Sequence, residues 1–152
     1  MTDDPFTTGS ILRATTELRG ETRAVRFQEV DAASTVFFPR LFEWASDNYI
    51  QWMRDRGVDI PALLRAGGFA TPLAHARADF RRPLFFGDSA RVSLVAARAG
   101  GTSFTLGHRV TAPDDPAALH AALVTVHVCV DPSTGRPVPV PELIRSIFPT
   151  AG

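Results

Sequence analysis

An aspartate in a loop of small residues is the feature of this sequence best placed to do chemistry. Asp31 opens the segment Asp-Ala-Ala-Ser-Thr, and Phe37-Phe38-Pro39 leads from it into an apolar-patterned stretch. Pro39 suits the first turn of a helix because its missing N–H needs no partner there. The Asp31 carboxylate therefore lies near a helix N-terminus, where free N–H groups and the helix dipole stabilise an anion. Such a carboxylate can attack or deprotonate water while backbone donors hold an oxyanion; the alternative is that Asp31 only caps a turn.

Three other groups of polar residues are weaker candidates for a functional site. Arg81 and Arg82 follow a predicted strand, where adjacent guanidinium groups either bind phosphate or form a solvated strand edge. His75 lies among polar residues of the same strand and is interpreted as an exposed or interface histidine. His127 and Cys129 share one strand face, but two ligands do not make a zinc site, so no metal site is predicted.

One long helix must position the Asp31 loop. It is predicted over 39–56, because apolar residues recur there at helical spacing and Gly57 follows as a natural stop. The apolar stripe consists of Leu41, Phe42, Ala45, Tyr49, Trp52 and Met53. Its width is typical of a helix wrapped by a sheet.

The remaining elements are mostly strands. A first strand is predicted near 22–29, where Val25 and Phe27 alternate with polar neighbours. A short helix over 60–66 precedes four strands separated by turns, and a terminal helical turn is predicted over 141–148. Strands joined by tight turns are antiparallel. The predicted class is therefore α+β, with an antiparallel sheet of about five strands curled around one central helix.

Composition narrows the class of protein further. The 152 residues, 45% apolar and 21% charged, predict a globular chain with a flexible arm over 1–18 and a single domain over 19–150. The 16 cations, all arginine, balance 16 anions, which argues against a nucleic-acid partner. The first residues lack the pattern of a signal peptide, and no apolar run approaches the ~20 residues of a membrane helix. We expect a cytoplasmic protein without a membrane span.

Several stretches together resemble one known family. They are Val25-Arg-Phe-Gln-Glu-Val-Asp-Ala-Ala33, Val36-Phe-Phe-Pro-Arg-Leu-Phe-Glu-Trp44, the segment from His75 to Asp88, Ser103-Phe104, and the ending from Val126 to Pro141. This order of motifs, over about 22–148, is similar to the hotdog-fold acyl-CoA thioesterases of the 4-hydroxybenzoyl-CoA thioesterase family. The last two stretches are especially similar to its 1,4-dihydroxy-2-naphthoyl-CoA thioesterases.

The resemblance implies a fold, an activity and a site. It implies a hotdog fold in a homodimer or homotetramer, with sites at subunit interfaces, and hydrolysis of an acyl-CoA without a metal or cofactor. Asp31 occupies the position of the catalytic carboxylate, and Phe38 the position whose backbone N–H polarises the thioester carbonyl. The implied substrate-binding residues are Ser34, Val36, Phe37, Arg81 and Arg82, the arginines toward the phosphates of coenzyme A.

Two departures from the family pattern concern the substrate more than the reaction. Ser34 stands where glycine is usual, and Phe38 stands where tyrosine is frequent. Glycine permits a positive φ and close approach of a ligand, so serine at position 34 narrows the pocket or adds a hydroxyl beside the thioester. The neighbouring aromatic side chains Phe37, Phe38, Phe42 and Trp44 favour an aromatic acyl group, although such residues at helical spacing also form cores.

The sequence leaves several alternatives open. Asp31 is either a nucleophile that forms a mixed anhydride or a general base for water. The substrate is alternatively an aliphatic acyl-CoA or an acyl group on a carrier protein, and a non-catalytic acyl-CoA-binding protein is a second class. A dehydratase of the same fold is a third class, but its usual D-x-x-x-x-H motif is missing because Val36 stands five residues after Asp31.

Overall fold

The computed structural model describes residues 3–150 and contains one five-stranded sheet. The strands are β1 (Arg19–Ala24), β2 (Leu73–Phe80), β3 (Ser89–Ala99), β4 (Ser103–Ala112) and β5 (Asp115–Val128). The helices are α1 (Thr8–Arg13), α2 (Pro39–Asp55), α3 (Ile60–Ala66) and α4 (Glu142–Arg145), with a 3-10 turn at Phe27–Glu29. All neighbouring strands are antiparallel, in the order β1-β3-β4-β5-β2, so β1 and β2 are the two edges.

Helix α2 lies against the inner face of this sheet. Its side chains Trp52 and Met53 are fully buried, as the apolar stripe predicts, and Trp44, outside that stripe, is buried as well. They pack against inward-facing strand residues, among them Val92, Leu94, Phe104, Leu106, Val110 and Leu123. The predicted α+β class and the hotdog arrangement, one long helix wrapped by an antiparallel sheet, are confirmed.

The position of the first strand was predicted wrongly. The strand ends at Ala24, and the chain then turns into the 3-10 segment, so Phe27 is 75% exposed. The reason is a capping interaction, because the Glu29 carboxylate accepts a 2.8 Å hydrogen bond from the Arg26 N–H. Alternation of Val25 with Phe27 resembles a strand, but this bond closes a turn instead.

The two termini also differ from the sequence-based expectation. Within the segment predicted as a flexible arm, residues 8–13 form the short helix α1, and the side chains of Phe6 and Ile11 are buried. The terminal helical turn covers only Glu142–Arg145 of the predicted 141–148.

No helix within residues 3–150 is both long and apolar enough to cross a membrane.

Candidate active site

The Asp31 loop is a tight turn closed by its own carboxylate. Oδ1 of Asp31 accepts a 2.8 Å hydrogen bond from the Ala33 N–H, and the Ser34 N–H donates to the Asp31 carbonyl over 2.9 Å. The Thr35 hydroxyl contacts both carboxylate oxygens, at 3.3 and 3.4 Å. Asp31 thus caps a turn, yet among residues 3–150 Oδ2 has only the long contact to Thr35, and the side chain is exposed. Its carboxylate is held in place while one oxygen stays accessible.

Ser34 adopts the backbone conformation that glycine favours. Its φ is +63°, and among the described residues it is the one non-glycine with a positive φ. The loop therefore contains a left-handed residue of the kind that glycine usually supplies, although a side chain is present. The Ser34 carbonyl accepts a 3.2 Å bond from the Phe86 N–H, which helps to hold this conformation.

The start of α2 leaves one backbone donor free. Phe38 is the N-cap residue, and Pro39 has no N–H to offer. The N–H groups of Arg40 and Leu41 already donate to the Phe37 and Phe38 carbonyls, at 2.9 and 3.2 Å. Within residues 3–150 no backbone carbonyl accepts from the Phe38 N–H. The atom that the resemblance assigns to thioester polarisation is therefore an unused donor at the positive end of a helix dipole.

A buried carboxylate two residues before Asp31 braces this whole region. Glu29 is 7% exposed and accepts hydrogen bonds from Arg23 Nη2 at 2.5 Å and Trp44 Nε1 at 2.9 Å, besides that from the Arg26 N–H. The Arg23 guanidinium also stacks over the Trp44 ring at 4.3 Å. The Glu29 carbonyl accepts a 2.9 Å bond from the Phe37 N–H. One residue thus ties β1, the 3-10 turn and α2 to the segment that carries Phe38.

Sequence reasoning did not single out Glu29. Its partners Arg23 and Trp44 lie six and fifteen residues away, on different elements. The available signal in the sequence was weak: an acidic residue between Gln28 and Val30, close to the candidate aspartate.

A cavity of about 320 Å³ lies beside the start of α2. Its lining combines two segments that are far apart in sequence: Thr35, Val36, Phe38, Leu41, Phe80, Arg81, Arg82, Pro83 and Leu84. Four of the predicted site residues, Val36, Phe38, Arg81 and Arg82, thus come together. Asp31, Ser34 and Phe37 do not line the cavity, but Thr35 connects it to the Asp31 carboxylate.

Two aromatic side chains, Phe38 and Phe80, line this cavity, and Phe37 lies beside them. The Phe38 ring meets Phe80 edge-on at 6.2 Å and Phe37 at 5.4 Å, and all three are about half exposed. The predicted aromatic cluster is therefore split: Phe37 and Phe38 are exposed near the cavity, whereas Trp44 is 1% exposed and belongs to the core. An exposed aromatic patch beside the free edge of β2 is typical of a surface that contacts a ligand or another chain.

Arg81 and Arg82 are held by their backbone while their side chains stay exposed. Both N–H groups donate to the His120 carbonyl, at 2.8 and 3.3 Å. Neither guanidinium forms an ion pair with a carboxylate of the described part of the chain. Both side chains are thus available to an anion at the cavity.

Several other polar or titratable side chains lie away from the site. His75 is exposed on edge strand β2, and Glu43 pairs with Arg40 at 3.0 Å on the surface of α2. His127 is buried against Phe104, with ring centroids 5.1 Å apart, and Cys129 is fully buried. No three His, Cys, Asp or Glu side chains within residues 3–150 are grouped as metal ligands.

A larger cavity of about 660 Å³ lies elsewhere, at the C-terminal end of β3. It is lined by residues of the N-terminal segment, of the end of β3 and of the C-terminal segment, including Asp4, Arg98 and Arg145. None of the predicted site residues contributes to it, so the smaller cavity is the candidate active site.

Fold and site together define a hotdog-fold thioesterase. Residues 25–148 match the thioesterase-like superfamily, and the chain belongs to that family. The predicted enzyme class, a thioester hydrolase, is confirmed by this membership and by the relatives that follow.

The chain is similar to curated enzymes and to solved structures of this family. A 1,4-dihydroxy-2-naphthoyl-CoA hydrolase of Nostoc punctiforme is 30% identical over 122 residues, which are 80% of each chain. The enzyme of the same name from Rippkaea orientalis is 30% identical over 121 residues, 80% of this chain and 88% of its own. The crystal structure of a 1,4-dihydroxy-2-naphthoyl-CoA thioesterase from Synechocystis superposes with a TM-score of 0.80 at 24% identity, covering 86% of this chain and 94% of its own. This last likeness establishes the fold.

Proposed function

We propose that this protein hydrolyses aromatic acyl-CoA thioesters to the free acid and coenzyme A. The observation that carries the proposal is a cavity lined by Phe38, Arg81, Arg82 and Thr35. Phe38 has the free N–H at the start of α2, and the Thr35 hydroxyl contacts the Asp31 carboxylate. The relatives named 1,4-dihydroxy-2-naphthoyl-CoA hydrolases support an aromatic acyl group. The aromatic rings of Phe38 and Phe80 at the cavity offer the matching surface.

In the proposed reaction the Phe38 N–H donates to the thioester carbonyl oxygen. That oxygen gains negative charge as the carbonyl carbon becomes tetrahedral, and a donor already oriented at a helix start stabilises it. The Asp31 carboxylate either attacks the carbonyl carbon itself, giving an anhydride that water then hydrolyses, or removes a proton from attacking water. In both routes the C–S bond breaks and coenzyme A leaves as the thiol.

The remaining predicted residues bind the substrate in this proposal. Ser34, Val36 and Phe37 flank the reacting carbonyl, because they belong to the segment between Asp31 and Phe38. Arg81 and Arg82 bind the phosphates of coenzyme A, for which guanidinium groups are well suited.

The proposed working form is a homodimer or homotetramer. Edge strand β2 is exposed over most of its length and adjoins the cavity at Phe80. Pairing with a second copy would cover that edge together with the aromatic patch. We also propose the cytoplasm as its compartment, in keeping with the single, unpaired and buried Cys129.

A substrate panel tests the proposal directly. Benzoyl-, 4-hydroxybenzoyl- and 1,4-dihydroxy-2-naphthoyl-CoA are compared with butyryl- and palmitoyl-CoA by release of free thiol. We expect the aromatic esters to have the higher kcat/KM. A higher kcat/KM for palmitoyl-CoA would contradict the aromatic assignment, and no thiol release from any ester would contradict hydrolysis.

The arginines are tested with a matched pair of esters. Replacing both Arg81 and Arg82 with Ala is expected to raise KM for a CoA ester several-fold but to leave the turnover of an N-acetylcysteamine ester unchanged, because that ester has no phosphates. Arg65→Ala, at another exposed arginine away from the cavity, is the control. An equal change in KM for both esters would contradict phosphate binding.

A further inference from the structure

The outer face of the sheet is the face that points away from α2. The centre of this face is apolar. It consists of small and aliphatic residues of the three middle strands: Val95, Ala96, Gly107, Leu119, Ala122 and Val124. An antiparallel sheet with one solvated face usually alternates apolar and polar residues there. This apolar face therefore requires a cover.

Residues 6–18, here called the outer strap, provide that cover. Phe6 and Ile11 of the strap are 3% and 1% exposed and pack on the apolar centre of the face. The contact is close at Gly107, where a Cβ atom would lie 3.3 Å from the Phe6 ring and 3.4 Å from the Ile11 side chain. A glycine at this position is what allows the strap to approach the strand.

Polar side chains of β2 and β4 bind the first part of the strap. On β2, Arg77 donates to the Phe6 carbonyl, and Asp79 accepts from the Thr8 hydroxyl. On β4, Arg109 Nη1 donates to the carbonyls of Leu12 and Ala14, at 3.1 and 3.0 Å. These contacts satisfy the C-terminal carbonyl groups of α1, which would otherwise lack partners.

The far end of the strap is bound to β3. The Glu17 carboxylate accepts from Ser93 Oγ at 2.6 Å and from Arg91 Nε at 3.0 Å. The hydrogen bond from Arg91 is the largest cause that lowers the pKa of Glu17. The strap is thus fastened to β2, β4 and β3 in turn and crosses the sheet from one side toward the other.

The positive charge of the outer face favours the strap over a second copy as the segment that covers it. The four arginines Arg77, Arg91, Arg98 and Arg109 all engage the strap, with Arg98 stacked over the Phe6 ring at 4.8 Å. They meet carbonyl oxygens, an aromatic face and the Glu17 carboxylate. A second copy would instead oppose one set of arginines with another, which is unfavourable at low ionic strength.

We propose that the outer strap occupies the outer face in place of a second copy, so that copies of this chain associate through other surfaces only. If the strap is released, the face becomes an apolar patch with a cationic rim. Once salt screens the arginines, two such faces pack sheet against sheet. The strap thereby limits the size of the assembly.

Hydrogen exchange on the unmodified protein is the first test. A helix of six residues has no stability of its own, so protection of the α1 amides reports docking of the strap. We expect the amides of residues 11–13 to exchange at least 100-fold more slowly than in a peptide of residues 1–18. Exchange at the peptide's rate would overturn the proposal.

A matched pair of variants tests exclusion of the second copy. Ile11→Asp places a charge in the apolar centre, whereas Leu12→Asp changes the neighbouring side chain, which is 37% exposed. In sedimentation velocity at 0.5 M NaCl we expect Ile11→Asp to have twice the mass of Leu12→Asp and of the parent, with less association at 0.05 M NaCl. Fast exchange of α1 in Ile11→Asp without any increase in mass would overturn exclusion, and unchanged exchange would overturn the role of Ile11 in holding the strap.

Far-UV circular dichroism and thioester turnover identify variants that keep the fold. If Ile11→Asp unfolds, Ile11→Ser replaces it as a milder change and is judged by the same two measurements. Gly107→Ala supplies an independent variant outside the strap, because its methyl group would press on Phe6 and Ile11. It is expected to speed exchange of α1 several-fold, and unchanged exchange would count against close docking.

Discussion

Two carboxylates, Glu29 and Asp31, lie two residues apart in the segment that leads into α2, and their surroundings are opposite. Glu29 is buried and accepts hydrogen bonds from Arg23, Trp44 and the Arg26 N–H, which come from separate elements. Asp31 is exposed, and its bonds come from its own loop. A carboxylate surrounded by donors holds structure together, whereas one with an accessible oxygen beside a cavity is available for chemistry.

This difference indicates separate roles for the two residues, Glu29 in structure and Asp31 in chemistry. Glu29 fixes the position of Phe37 through its carbonyl, and with it the orientation of the neighbouring Phe38 N–H. A few hydrogen bonds within its own loop are then enough to hold Asp31, because Glu29 already fixes the neighbouring segment. Loss of Glu29 should therefore appear first in stability, and loss of Asp31 first in turnover.

The largest effect is expected for Asp31→Asn. The amide keeps the acceptor for the Ala33 N–H but loses the negative charge and basicity. We expect kcat to fall by about 10² or more, while the free energy of unfolding changes by about 1 kcal/mol or less. Thiol release and urea denaturation measure the two quantities, with Asp47→Asn on the exposed side of α2 as the control. Normal turnover in an Asp31→Asn variant of lowered stability would mean that the Asp31 carboxylate caps its turn and does not take part in catalysis.

The converse change, Glu29→Gln, is expected to affect stability most. The amide cannot satisfy the Arg23 guanidinium as a carboxylate does, and its NH₂ group faces other donors. We expect the free energy of unfolding to fall by about 2 kcal/mol. Glu43→Gln, which removes an exposed ion-pair partner, should cost less than about 0.5 kcal/mol.

Kinetics separate positioning from stability in the Glu29 variant. We expect kcat of Glu29→Gln to fall several-fold at a temperature where the protein is fully folded, with KM nearly unchanged. If urea midpoints of Glu29→Gln and Glu43→Gln coincide, the proposed division between the two carboxylates is wrong.

Much of this arrangement could be predicted from local sequence. The spacing of Leu41, Trp52 and Met53 marks the buried side of α2, and Pro39 marks its start. Together they place Asp31 at a helix N-terminus. The parts that were missed depend on contacts between distant elements, as when Trp44 bonds to Glu29 or Arg109 of β4 binds the end of α1. No local period shows that a sheet will present an apolar outer face to residues 6–18.

The third prediction concerns a buried polar group that, unlike Glu29, lacks partners. His108 is fully buried on β4, and neither ring nitrogen has a hydrogen-bond partner within the described chain. Burial, with a smaller contribution from His127, lowers the pKa of His108 to about 3. The unfolded chain, with a pKa near 6.5, binds a proton that the folded chain excludes between these values.

Stability should therefore fall as pH falls below about 6.5, by roughly 1.4 kcal/mol per pH unit from this residue. Burial also lowers the pKa of His127, which adds to the same trend. Urea denaturation between pH 7.5 and 5 measures the slope. His108→Leu should be shallower than the parent over this range, and an unchanged slope would exclude His108 as its source.

The smallest effect, on the order of 0.5 kcal/mol, is expected for Ser34→Gly. The positive φ of Ser34 costs an L-residue about 1 kcal/mol or more, whereas glycine adopts it freely. Glycine also gains freedom in the unfolded chain, which offsets about half of the benefit. The net result should be a small rise in the urea midpoint. Ser34→Val is the matched control, since a β-branched residue tolerates this conformation poorly and should lower stability by about 1–2 kcal/mol. A Ser34→Gly variant less stable than the parent would mean that the serine hydroxyl stabilises the turn. Side chains of the Asp31 loop would then contribute to stability, as Glu29 does, and the contrast between the two regions would be smaller.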